Sequence, residues 1–219
     1  MGIKVKDRKN SLIIPEGIPF IIPPGAVTIV AFFCKAMGAA VLLFVVTAFV
    51  LWFFRNPERK VPEDTRVVVS PADGKVLKIE DVIENELVRG PCKKISIFMS
   101  LFNVHVNRVP VSGTVMSIRY KKGKFLSADL DKASSLNERN TILVKTDEGR
   151  YILTVQIAGI IARRIVCWLK EGMYVKKGER FGLIQFGSRL ELFLPFDTTI
   201  SVRVGDKVKA GETPIGYLT

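Results

Sequence analysis

Apolar residues run almost unbroken from Gly25 to Phe54, and among these thirty positions only Lys35 carries a charge. A stretch of that length and composition reads as an apolar helical membrane segment. As one helix it would extend about 45 Å, beyond the roughly 30 Å hydrocarbon core. A break between Lys35 and Gly38 would absorb the excess, and the pattern leaves a re-entrant hairpin and a single span open. Upstream, Ser11 to Gly25 is apolar but contains Pro15, Pro19, Pro23 and Pro24, which predicts an irregular lead-in and no helix. The chain therefore divides into a basic, proline-rich lead-in (1–24), the membrane segment (25–54), a polar linker (55–65) and a folded domain (66–219).

The folded domain alternates apolar and polar residues in short runs separated by glycine turns, the pattern of β-strands. Strands are expected at Val67 to Ser70, Lys75 to Ile79, Lys94 to Phe98, Gly113 to Tyr120, Thr141 to Thr146, Tyr151 to Ile157, Gly182 to Gln185, Glu191 to Leu194, Thr199 to Val204 and Ile215 to Leu218. Helical periodicity is confined to a short candidate helix around Ile160 to Cys167. Two turn motifs recur: Ser70-Pro-Ala-Asp-Gly-Lys-Val76 as Val109-Pro-Val-Ser-Gly-Thr-Val115, and Val175-Lys-Lys-Gly-Glu179 as Val208-Lys-Ala-Gly-Glu212. Such turns resemble those of lipoyl and biotinyl carrier domains, so the expected fold class is mainly β, a barrel-sandwich with lipoyl-like turns. Turn chemistry alone says little about activity.

Thirty-three Lys and Arg against 21 Asp and Glu leave a formal charge of +12, which attracts polyanions, whether nucleic acid or anionic lipid. The membrane segment selects lipid and leaves a nucleic-acid module without support. Basic residues flank the apolar run on both sides, Lys4 to Lys9 before and Arg55, Arg59 and Lys60 after, so a re-entrant hairpin would keep both ends cytosolic, with the folded domain on the cytoplasmic face of the cell membrane. A cleaved signal peptide fits poorly, because the run is too long, lacks a small-residue cleavage site and ends in aromatics. Myristoylation would need Ser or Thr at position 6, which is Lys6. The three cysteines, Cys34, Cys92 and Cys167, are too widely spaced for a metal or disulfide framework and read as reduced, buried apolar residues.

Three residues could carry chemistry. Gly187 before Ser188 allows a backbone in which the hydroxyl approaches the preceding carbonyl, although Gly-Ser is equally a surface turn. His105 is the only histidine and titrates in the range a general base needs, although a lone strand histidine is often structural. Asp73 sits in Pro71-Ala-Asp-Gly74, where turn aspartates commonly bond their own backbone. Together Asp73, His105 and Ser188 supply orienter, base and nucleophile.

These residues lie in segments that, in order, resemble the short bacterial and archaeal form of the phosphatidylserine decarboxylase family: Phe54-Arg-Asn-Pro-Glu-Arg59, Ser70-Pro-Ala-Asp-Gly74, Phe102 to Pro110, and Phe186-Gly-Ser-Arg189 followed by Leu192-Phe-Leu-Pro195. The resemblance implies that the Ser188 hydroxyl attacks the Gly187 carbonyl and shifts the acyl group from nitrogen to oxygen. Loss of the Ser188 α-proton then expels the carboxylate and leaves dehydroalanine, which takes up water and releases ammonia to become a pyruvoyl group. The products are a large chain, 1–187, and a small chain, 188–219. The pyruvoyl cofactor then serves as electron sink for decarboxylation of a serine phospholipid, with no metal and no pyridoxal-binding lysine required. The better-known long form carries two histidines three residues apart; here the second position is Arg108, so His105 either serves both steps or shares them with another donor.

Arg108 and Arg189 are expected to bind the substrate phosphate or carboxylate, which a guanidinium fork matches. The anionic membrane surface and a homodimer are the further expected partners. A diacyl and an ether-linked archaeal lipid share one head group, so phosphatidylserine and archaetidylserine both remain open. The rival from another class is a membrane-anchored lipoyl-like adaptor without catalysis. It would need long helical heptads between its turn motifs, and none are present. A lipoyl or biotinyl carrier would need a modifiable lysine where Ser188 stands.

Overall fold

Residues 11–127, 136–160, 164–185 and 188–219 are described by a computed structural model, and the chain groups into two compact units, Met1–Glu58 and Arg59–Thr219. Gly187 and Phe186 of the expected cleavage site, and the basic residues Lys4 to Lys9, lie outside the described residues.

In the first unit the apolar run is not one helix. A single 3₁₀ turn, Pro15–Gly17, leads into α1 (Ile18–Phe33), and α2 (Met37–Phe53) follows after a tight link at Cys34 to Ala36. Lys35 adopts a left-handed backbone there (φ 56°), which reverses the chain. The ends of the hairpin are joined, since Ile14 N–H donates to the Phe54 carbonyl (3.0 Å) and Asn56 N–H to that of Leu12 (2.8 Å). Gly17 is required at this closure, because a Cβ on it would stand 2.4 Å from the Phe54 ring.

The expected irregular lead-in is corrected, since Pro23 and Pro24 lie inside α1. Pro19 occupies the first turn, where amide hydrogens have no helical partner in any case, and Thr28 Oγ1 donates to the Pro24 carbonyl (2.7 Å). Pro15–Phe33 is long and apolar enough to cross a membrane by length and composition. Leu42, Phe44 and Val45 of α2, like Phe33 of α1, are more than half exposed. Cys34, expected to be buried, is exposed at the tip.

The second unit begins at Arg59, so residues 59–65 of the expected linker belong to it. Its described residues form fourteen strands: β1 (Val67–Val69), β2 (Gly74–Glu84), β3 (Gly90–Met99), β4 (Val106–Arg108), β5 (Gly113–Lys121), β6 (Arg139–Lys145), β7 (Tyr151–Ala158), β8 (Arg164–Cys167), β9 (Tyr174–Val175), β10 (Arg180–Gln185), β11 (Ser188–Pro195), β12 (Thr199–Ile200), β13 (Lys207–Val208) and β14 (Pro214–Tyr217). They form a curled eight-stranded antiparallel sheet, β13-β2-β3-β11-β7-β6-β5-β9, and two three-stranded sheets, β1-β14-β12 and β4-β10-β8. The expected helix at Ile160 to Cys167 is corrected, because Arg164–Cys167 pairs along β10 and its β-branched Ile165 and Val166 suit a strand. Hairpin β2–β3 extends beyond its apolar part through cross-strand Glu80–Lys94 (2.8 Å) and Asp81–Lys93 (3.7 Å) pairs.

The recurring turn motifs mark a structural duplication. Val69 N–H donates to the Pro110 carbonyl (3.0 Å), and Arg108 N–H reciprocates to Pro71 (2.9 Å). Gly178 donates to Val109 and Gly211 to Ser70, both at 2.8 Å and both with φ near +77°. Gly172 donates to Val115 and Gly205 to Val76, again at 2.8 Å. The large sheet reads the same from either edge, with β11 and β7 adjacent at its centre. One repeat is continuous, β4 to β10. The other is split into β1–β3 and β11–β14, with the continuous repeat inserted between β3 and β11. In the continuous repeat the corresponding strands β6 and β7 are joined directly by a tight turn at Thr146 to Gly149. Ser188 thus begins the strand that resumes the interrupted repeat.

The apolar core lies on one face of the large sheet and is formed by Val68, Val76, Ile95, Ile97, Leu190 and Leu192 among others. Residues 188–219 supply the central β11, the edge β13, and two strands of the β1-β14-β12 sheet. A break between residues 187 and 188 should therefore leave both pieces in one particle. The expected result is a single peak on native size exclusion and two peaks in guanidinium; release of 188–219 under native conditions would contradict this topology.

Candidate active site

Alternation along β11 decides where each side chain of its first turn of sequence goes. Ser188 shares its face with Leu190, Leu192 and Leu194 of the apolar core, and Arg189 shares the other with Glu191. Ser188 is fully buried, and its backbone lies between Met99 of β3 and Ala158 of β7. Its hydroxyl donates to the Met99 sulfur at 3.2 Å. The strand before it, β10, belongs to a different sheet, so the chain crosses between sheets immediately ahead of Ser188.

His105 is also buried (1% exposed) and stands at the entrance to β4. Val106 is paired with Leu183, so the β10 strand reaches the level of His105 one residue later and continues toward Ser188. The preceding loop is closed by Asn103, whose Oδ1 accepts from Ser100 N–H (2.9 Å) and Ser100 Oγ (2.8 Å). The Asn103 carbonyl lies 3.0 Å from His105 Nδ1. A carbonyl can only accept, so Nδ1 carries the proton and Nε2 is the basic atom of the neutral ring.

Asp73 is not joined to His105 as the triad reading expected. Its carboxylate accepts from Arg59 Nη2 at 3.0 and 2.8 Å and from Ala210 N–H at 2.8 Å. Arg59 also reaches Glu212 (3.6 Å), so the pair fastens the segment at Arg59 to two turns of the duplicated fold. The backbone carbonyl of Asn103 takes the orienting place beside the imidazole. Arg59 was missed because an arginine in a charged, proline-containing stretch reads as solvated; its place at the end of the family-like Phe54 to Arg59 segment was the available signal.

Both arginines expected to face substrate are buried. Arg189 is 2% exposed, and its Nε and Nη2 donate to Glu191 Oε1 at 3.1 and 2.7 Å. Arg108 is 5% exposed; its Nη1 donates to the Gly178 carbonyl (2.9 Å), and its side chain packs so closely on Gly211 that a Cβ there would come within 2.7 Å of it. Neither guanidinium is presented to solvent. Among the described residues no group of three or more His, Cys, Asp or Glu is placed to hold a metal.

Removing one member of a buried ion pair leaves the other uncompensated, at roughly 3 kcal/mol or more. Asp73→Ala should lower the melting temperature by roughly 6–12 °C for a domain of this size. Arg59→Ala should do the same, and the double variant should lose much less than the sum. Additive losses in calorimetry would show that the two side chains do not act as a pair.

The family model for phosphatidylserine decarboxylase matches residues 46–216. The chain is 59% identical to a phosphatidylserine decarboxylase proenzyme of Syntrophus aciditrophicus, covering 95% of this chain and 99% of that one. It is 48% identical to one from Desulfotalea psychrophila (93% and 95% covered) and 46% identical to one from Magnetococcus marinus (96% and 97% covered). With its buried serine and histidine at the crossover between sheets, the chain belongs to the phosphatidylserine decarboxylase family.

Proposed function

We propose that the chain cleaves itself between Gly187 and Ser188 and then decarboxylates phosphatidylserine to phosphatidylethanolamine. The observation that carries this reading is the placement of Ser188: a fully enclosed hydroxyl at the first residue of the central strand, bonded to a thioether. A hydroxyl kept for stability alone would be expected to bond a backbone or charged group, whereas a thioether is a weak acceptor that leaves the oxygen lone pairs available. In the cleavage step the Ser188 Oγ bonds to the residue 187 carbonyl carbon, the peptide C–N bond breaks, and the hydroxyl proton passes to the released nitrogen. His105 Nε2 supplies the base that moves protons here, with its ring held by Asn103.

The surroundings of Ser188 fit a pyruvoyl group. A small uncharged ketone suits a position on the apolar face of β11 that Leu190 and Leu192 continue. The ketone supplies an electron sink for the pair left when CO2 departs. His105, one residue ahead of β4, is the group available to hold and return the proton that replaces CO2.

The helical hairpin is read as the membrane anchor. Its closure between Leu12 to Ile14 and Phe54 to Asn56 puts both ends on one side, and Arg55 stacks on Trp52 (4.1 Å) as arginine and tryptophan do at an interface. At about 24–26 Å each, α1 and α2 suit a re-entrant insertion from the cytoplasmic leaflet, where anionic lipid meets the excess of Lys and Arg. The duplicated turns at Gly178 and Gly211 support assigning the folded unit to the lipoyl-like barrel-sandwich class.

Ser188→Ala should give one intact chain with no carbonyl trappable by hydride or hydroxylamine, and no release of CO2 from phosphatidylserine vesicles. His105→Ala should slow cleavage by about 100-fold or more. Normal two-chain processing of the His105 variant on a denaturing gel would remove His105 from the first step.

A further inference from the structure

The Met99 sulfur that receives the Ser188 hydroxyl is itself held. Asn107 Nδ2, also buried, points at it from 3.7 Å. Asn107 has no freedom to turn, since its Oδ1 accepts from Gln156 Nε2 (2.9 Å) and Gln156 Oε1 accepts from Asn140 Nδ2 (2.9 Å). Met99, Asn107, Gln156 and Asn140 are all at most 3% exposed and come from β3, β4, β7 and β6. Three carboxamides aligned in an interior are costly to desolvate, and packing alone gives no reason to place them there.

We propose that Met99 is a positioning residue for self-cleavage, and that the row Asn107–Gln156–Asn140 keeps its sulfur in place; the inference rests on the function proposed above. A methionine side chain has three rotatable bonds and is poorly suited to hold anything without such a brace. Accepting from the hydroxyl fixes the Ser188 rotamer and turns the oxygen lone pairs away from the sulfur. Because a thioether accepts weakly, the hydroxyl proton leaves it easily when the C–O bond forms and the peptide C–N bond breaks. After cleavage the hydroxyl no longer exists. A residue that acts through that hydroxyl therefore matters for maturation far more than for turnover.

Met99→Leu keeps volume and apolarity and removes the acceptor. Self-cleavage of the full chain, followed after synthesis on denaturing gels, is expected to slow about tenfold or more. Once cleavage has run to completion, turnover per trapped carbonyl should change by less than about threefold. Wild-type cleavage rates in Met99→Leu would overturn the inference, and so would equal losses in cleavage and turnover, which mark a packing role. Should Met99→Leu fail to fold, Asn107→Asp decides on the same two measurements, because it keeps the oxygen that accepts from Gln156 and withdraws the N–H aimed at sulfur. A wild-type chain that never cleaves at 187–188 would instead overturn the function proposed above.

Discussion

Ser188 enters the large sheet between two strands that already face each other across it, Met99 on one side and Ala158 on the other, while its predecessor strand is committed to a different sheet. Two ladders hold the residue that follows the proposed scissile bond. A nucleophile on a mobile loop would sample many orientations. Here the hydroxyl proposed to react stands on the central strand of the large sheet, between β3 and β7, so its position is set by folding itself.

Two buried ion pairs support that arrangement from different directions. Arg189 and Glu191 lie on the face of β11 opposite Ser188, and Ser96 approaches the same carboxylate at 3.5 Å. Arg59 and Asp73 link the start of the folded unit to the turn at Ala210. Buried pairs of this kind are weak contributors to net stability but strongly penalise arrangements that separate them, which favours one register of β11 over its slipped alternatives.

Much of the β architecture was readable from glycine turns, β-branched runs and alternation; β2 and β5, for example, each open by burying alternate positions, Gly74 and Val76 in one and Gly113 and Val115 in the other. The four strands that escaped have physical reasons. β9 and β13 are two residues long and carry no period; β4, Val106-Asn-Arg108, is buried at every position and so does not alternate; β8 was taken for a helix. Ser188 and His105 could be singled out by residue type and spacing. Their partners could not, because whether Asp73 meets His105 or Arg59 is decided by how distant turns come together. The register also shows why the two repeats frame one such site and not two: the continuous repeat supplies His105, where the split one has Arg66, and the split repeat supplies Ser188, where the continuous one has Arg150, both arginines being paired with surface carboxylates, Asp64 and Asp197.

The insertion of one repeat into the hairpin of the other has a consequence for the life history of the molecule. Before scission, assembling the fold is a unimolecular event whose success does not depend on concentration. Afterwards the same architecture is a complex of two polypeptides, neither of which holds a complete repeat pair, and regaining it from the denatured state becomes a second-order encounter between a long chain and a short one. Under the proposed processing at Ser188, folding becomes a one-way passage, with the native state kept afterwards by the barrier to pulling β11 out from between β3 and β7.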